Sequence, residues 1–71
     1  MQIKKGKYLH YKGKEYEVIA NAKHSETLEE MVVYRALYGD NQIWVRSAKM
    51  FGEDVQVNGS MVPRFKLLGT K

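Results

Sequence analysis

The chain has 71 residues and a formal net charge of +4, which is room for a single domain, 1–71, with a thin core, since a chain this short buries only about 60% of the surface it exposes when unfolded. It has no cysteine and only two histidines, His10 and His24, so a disulfide-stabilised secreted module and a structural zinc site are both disfavoured, and no metal or cofactor is expected. No apolar run approaches the ~20 residues that span a bilayer, and no apolar stretch follows Met1-Gln2-Ile3-Lys4-Lys5, so neither a membrane segment nor a secretory leader is expected and the cytoplasm is the expected compartment.

Taken in chain order, the first feature is electrostatic. Residues 1–14 hold five lysines (Lys4, Lys5, Lys7, Lys12 and Lys14) and no acid, whereas residues 15–71 hold seven basic and eight acidic side chains. The basicity therefore belongs to a flexible arm over residues 1–5 and to the first strand and turn. Such an asymmetry attracts an anionic partner; it also suits a solvated edge strand and hairpin. Gly6 to Tyr11 reads as a strand with Tyr8 and His10 on one face and Leu9 and Tyr11 on the other. Lys12-Gly13-Lys14 turns the chain into a second strand, Glu15 to Lys23, where Tyr16, Val18, Ala20 and Ala22 alternate with a mostly polar face.

Residues 25–38 admit two readings. Thr27 and Glu30 have capping-box spacing and Gly39 could stop a helix. That helix would place Arg35 in its apolar stripe, and Met31-Val32-Val33-Tyr34 is rich in strand formers. The preferred reading is a loop or single turn over 25–30 and a strand over 31–38, with either the Val32-Tyr34-Ala36-Tyr38 face or the Met31-Val33-Arg35-Leu37 face buried. Ile43 to Arg46 then forms a hairpin with it. Ser47 to Phe51 reads as one helical turn ending at Gly52. Glu53–Val57 and Met61–Leu68 are the last two strands, joined by the hairpin signal Asn58-Gly59. Pro63, which cannot donate to a ladder, belongs at an edge or bulge. Frequent turns between short apolar segments indicate a mainly β fold of five or six strands with a short helical turn, as a small barrel or sandwich.

Three segments carry a resemblance: Gly6-Lys7-Tyr8-Leu9-His10-Tyr11-Lys12-Gly13; Ala22-Lys23-His24-Ser25-Glu26-Thr27; and Val32 to Gly39, followed by Trp44-Val45-Arg46 and Met50-Phe51. In this order and spacing the chain resembles a bacterial family, the domain of unknown function numbered 1653, from about Gly6 to Gly69. The resemblance implies a small SH3-like β-barrel and no assigned activity.

Two constellations carry chemistry. His24-Ser25-Glu26, with His10 as a second histidine, contains the residue types of a nucleophile, base and orienter. Neighbouring residues rarely converge in that way, and a turn bonded to its own backbone is the simpler reading. The carboxylates Glu26, Glu29 and Glu30 match no metal-loop spacing and read as a solvated loop. The other constellation is Tyr34, Arg35, Tyr38, Trp44 and Arg46. Aromatic faces interleaved with guanidinium groups on paired strands can stack bases or grip an acidic peptide. No phosphate-loop, dinucleotide, zinc-protease or serine-hydrolase motif occurs. The expectation is a non-catalytic binding module for an anionic partner, either nucleic acid or an acidic protein segment. The alternatives are a small-ligand or enzymatic site at His24, Ser25, Glu26 and His10, and an oligomerisation domain that pairs its Met31–Leu37 strand with a copy of itself. A monomer or weak homodimer fits the first reading.

Overall fold

Each strand runs antiparallel to its neighbours, in two sheets. The structure, a computed structural model, describes residues 3–70. The strands are β1 (Gly6–His10), β2 (Glu15–Lys23), β3 (Glu30–Ala36), β4 (Ile43–Ser47), β5 (Asp54–Val57), β6 (Ser60–Pro63) and β7 (Phe65–Thr70), with one helical turn, α1 (Ala48–Phe51), between β4 and β5. The large sheet has the order β4-β3-β2-β1-β7, and β5 pairs only with β6. Because β4 and β7 end the large sheet, no closed barrel forms among the described residues.

The mainly β expectation holds, and the strand count is corrected from five or six to seven. The segment expected as one strand over 61–68 breaks at Arg64. Pro63 ends β6, where its missing N–H costs no ladder bond. Arg64 then changes partners: its N–H donates to the Glu53 carbonyl at 3.0 Å, and its own carbonyl accepts the Tyr11 N–H at 3.0 Å. Its side chain is held too, with Nε donating to the Met50 carbonyl and the guanidinium facing Glu53 at 3.5 Å. Arg64 thus marks the crossing from the small sheet into the large one. The expected Asn58-Gly59 turn joins β5 to β6, with both residues at positive φ, 50° and 81°, as a tight hairpin of primed type requires.

Residues 25–29 form no helix, and β3 ends at Ala36, two residues earlier than expected. Its buried face is Val32, Tyr34 and Ala36. Tyr38 lies beyond the strand and is exposed. β2 matches its expected span, but its alternation does not persist. Val18 opposes Tyr34 and Ala20 opposes Val33, so Ile19 is the extra residue of a bulge. Past the bulge the pleat inverts, and Asn21, opposite Val32, turns inward. Its amide exchanges two hydrogen bonds with the backbone of Ile3. Of the arm expected over residues 1–5, Met1 and Gln2 lie outside the described residues. Ile3 packs on the core, and the Lys4 carbonyl accepts the Tyr8 hydroxyl.

The core is small and aromatic. Tyr8, Val18, Val32, Tyr34, Ala48, Phe51 and Phe65 form one buried cluster. Phe51 and Phe65 stack at 4.0 Å, while Tyr8 and Tyr34 meet Phe51 edge-on. Large rings give a thin domain more buried area per residue than aliphatics do. The helical turn exists to deliver Phe51 to this cluster: the Ser47 hydroxyl caps it by accepting the Met50 N–H, and Gly52 closes it. At the other end of the sheet Gly6 adopts φ 146°, and a Cβ there would collide with the Gly69 carbonyl, so the β1–β7 approach requires glycine. Among the described residues no helix is long and apolar enough to cross a membrane.

Candidate functional site

The β3–β4 register decides which expected site residues meet. Tyr34 opposes Trp44, and Val32 opposes Arg46. Directly opposed residues share a face, so Trp44 and Arg46 stand on the side of Tyr34, the core side. Arg35 opposes Glu17 on β2 and Ile43 on β4 and therefore lies on the opposite side of the sheet. Of the five residues expected together, Tyr34, Tyr38, Trp44 and Arg46 converge. Together with Tyr16 they line a shallow groove of about 250 Å³. Arg35 is excluded by the period of the strand.

Tyr16 is the residue the sequence reading left out of the site. It reaches the groove because β2 lies beside β3, with Tyr16 opposite Ala36. Its ring meets Tyr34 and Tyr38 edge-on at 5.4 and 5.5 Å, and its hydroxyl shares a 2.6 Å hydrogen bond with that of Tyr38. Burial, and then the bond to Tyr38, push the Tyr16 phenol up to about 12. The shared bond holds Tyr38, a residue outside any strand, in place against the sheet. The signal available in the sequence was the alternation of Tyr16 with Val18; what it lacked was the partner strand.

Arg46 forms the charged end of the groove. Its Nε donates to the Tyr34 hydroxyl at 3.4 Å, and its guanidinium lies 6.0 Å from the Phe65 ring centroid. Three ion pairs occur among the described residues, Lys7–Glu15, Lys23–Glu30 and Arg64–Glu53, and Arg46 takes part in none. Trp44 is half exposed, at 50%, so one broad ring is open to solvent next to that guanidinium. Lys14 extends the positive rim, its ammonium 5.1 Å from the Tyr38 ring centroid.

His10 stands behind the groove rather than in a catalytic set. Its ring contacts Tyr16 and Phe65, and its Nδ1 accepts the Lys12 N–H at 3.2 Å. Burial, followed by the charges of Arg46, Lys12 and Arg64, lowers its pKa. His24 is in the exposed turn after β2. Its Nδ1 accepts the N–H groups of Glu26 and Thr27, at 3.1 and 3.3 Å, and the Thr27 hydroxyl accepts the Glu29 N–H. The ring nitrogen of His24 therefore serves its own turn. Ser25 and Glu26 are exposed beside it, and none of these residues converges with His10 in a groove. Among the described residues no group of three or more histidine and acidic side chains could hold a metal ion.

The five expected lysines divide between surfaces. Lys14 joins the groove, Lys12 lies over Tyr11 at 5.8 Å, and Lys7 is across the sheet, 3.7 Å from Glu15. Lys4 and Lys5 are exposed at the start of the described chain.

Comparison with known proteins gives this arrangement a family and no activity. No curated protein matches the chain. The crystal structure of a protein belonging to DUF1653 from Bordetella bronchiseptica is 32% identical, covers 99% of this chain and 92% of its own, and superposes with a TM-score of 0.88. The family described as Protein of unknown function (DUF1653) matches residues 6–67. With nearly the whole domain inside that match, the chain belongs to the DUF1653 family.

Proposed function

We propose that this domain is a non-catalytic binding module, of the open SH3-like barrel kind, that takes single-stranded nucleic acid in the groove of Tyr16, Tyr34, Tyr38, Trp44 and Arg46. The observation that carries the reading is a guanidinium with no carboxylate partner among the described residues, at the end of an aromatic-walled groove. Arg46 supplies charge for a phosphate. Trp44 supplies a half-exposed ring for a base already out of its helix, and a duplex offers no such base edge-free face. Lys14 and the lysine-bearing first turn add sequence-independent attraction. An acidic peptide would satisfy Arg46 but would leave the aromatic faces with nothing to stack. The shallowness of the groove favours binding over catalysis, because nothing there excludes water from a reacting bond.

Trp44 is the only tryptophan, so its emission reports on the groove directly. Titration with single-stranded oligonucleotides should quench that emission, with affinity that falls as salt rises. Unchanged emission at low salt, for both RNA and DNA, would contradict the proposal, and a response to acidic peptide alone would replace the partner.

A further inference from the structure

The two outer edges of the large sheet are unlike. β7 carries Lys66 and Gly69, and its register against β1 shifts between Lys7 and Tyr8; a charge, a glycine and a bulge are common ways of blunting an edge. The small sheet carries Asp54 and Pro63. β4 is less protected: its sequence, Ile43-Trp44-Val45-Arg46-Ser47, carries the single charge of Arg46 and no lysine, acid, proline or glycine, and its register against β3 runs unbroken over all five residues. Ile43, Trp44 and Val45 are 53%, 50% and 62% exposed.

The direction of its backbone groups follows from one hydrogen bond. The Ala36 N–H donates to the Gln42 carbonyl at 2.8 Å. Hydrogen-bonded and non-bonded pairs alternate in an antiparallel ladder, so Trp44 and Arg46 direct their backbone groups to β3. Ile43, Val45 and the Ser47 N–H direct theirs away from the sheet. The expected self-pairing strand, Met31–Leu37, cannot use such an edge, because β3 is flanked on both sides by β2 and β4.

We infer that β4 is a homodimer edge, pairing antiparallel with β4 of a second copy about a two-fold axis through Val45. This inference rests on the edge of β4 and not on the identity of the groove's ligand, although it draws on Trp44 and Arg46, which also line the groove. In that register Val45 opposes Val45 of the second copy, Ile43 opposes Ser47 and Trp44 opposes Arg46. The outward-directed backbone groups then meet one another, as the ladder requires. Each guanidinium faces an indole, a favourable cation–π pairing, and like charges are kept apart. On the other face, Val33 and Val45 form a row with the same residues of the second copy. A shift by one residue would place outward-directed groups of one strand against inward-directed groups of the other. A shift that opposed Arg46 to itself would bring like charges together. The strand is thus complementary to itself in this register, and the large sheet becomes continuous through both copies with the two grooves adjacent.

A single strand pair buries less than a standard interface, so the dimer is weak and concentration-dependent. Sedimentation over about 10 μM to 1 mM should show dimer at the upper end. Val45→Lys puts ammonium groups opposite each other at the axis; this exposed site tolerates lysine in the monomer, and the dimer should weaken by about tenfold or more. Amide exchange of the unmodified chain supplies the second readout. Val45 and Ser47 N–H should gain protection as concentration rises, while Trp44 and Arg46 N–H, already bonded to β3, should not. A monomer at 1 mM with Val45 N–H unprotected, or a dimer indifferent to Val45→Lys, would overturn the inference. So would protection of Val45 and Ser47 only on adding an extended peptide to a chain that stays monomeric.

Discussion

Two arginines sit in the middle of neighbouring strands and do opposite things. Arg46 on β4 faces the core side, at the end of an aromatic groove and outside every ion pair described. Arg35 on β3 faces the other side, opposite Glu17. Each follows an apolar residue, Arg35 lying between Tyr34 and Ala36 and Arg46 between Val45 and Ser47, and one residue of strand phase separates their fates. The core side is where rings converge; the outer side is aliphatic and charged, with Val33, Val45, Lys7 and Glu15. A mid-strand charge is thus informative only once its face is known.

The comparison can be broken first through stability. Phe51→Ala removes a ring stacked at 4.0 Å on Phe65 and should cost about 3–5 kcal/mol, most of what a domain of this size has. Val45→Ala on the exposed outer side should stay within about 0.5 kcal/mol. Urea unfolding measures both, and equal losses would erase the distinction between the two sides.

Function separates them next. Arg46→Gln should weaken oligonucleotide binding by about tenfold or more and reduce its salt dependence. Arg35→Gln should change it by less than about twofold. Anisotropy titrations at two salt concentrations give both numbers.

A smaller effect follows from His10, which packs between Tyr16 and Phe65 on the core side. Its folded pKa is depressed below the ordinary 6.5, so below pH 6.5 the unfolded chain binds the proton more readily. Its contribution to stability is therefore full above pH 6.5 and is lost as pH falls through the depressed folded value. Thermal unfolding between pH 7 and 5 should show that decline, and His10→Gln should remove this part of it. The smallest change expected is at the hydroxyl pair. Tyr38→Phe removes the bond to Tyr16 and should bring the Tyr16 phenol down from about 12 toward its usual value, visible by ultraviolet difference titration, with about 1 kcal/mol or less lost in stability. In the native chain the same raised pKa makes the contribution of Tyr16 full below pH 10 and lost as pH rises toward 12.

Much of the local structure was legible because local rules govern it. Glu15 to Lys23 reads as a strand and is β2; Asn58-Gly59 turns; Ser47 to Phe51 reads as one helical turn ending at Gly52, and α1 spans Ala48–Phe51. What escaped depends on partners distant in sequence. The bulge at Ile19 is a property of the β2–β3 pairing, and it alone turns Asn21 toward Ile3. The break at Arg64 arises because its two backbone groups bond to different sheets, at Glu53 and Tyr11. The site was legible to the extent that β3 and β4 form a hairpin, which brought Tyr34, Trp44 and Arg46 together. Tyr16 needed the third strand, and Arg35 needed the phase of β3, which residues 31–38 leave open between two apolar faces.

The measurement that tests the central claim most directly is an NMR titration of the isotope-labelled domain with single-stranded RNA, made in parallel on the native chain, Arg46→Gln and Arg35→Gln. The account predicts shifts confined to Tyr16, Tyr34, Tyr38, Trp44, Arg46 and the Lys12–Lys14 turn, retained in Arg35→Gln and lost in Arg46→Gln. Shifts centred on Arg35 and the outer side, or no difference between the two variants, would contradict it.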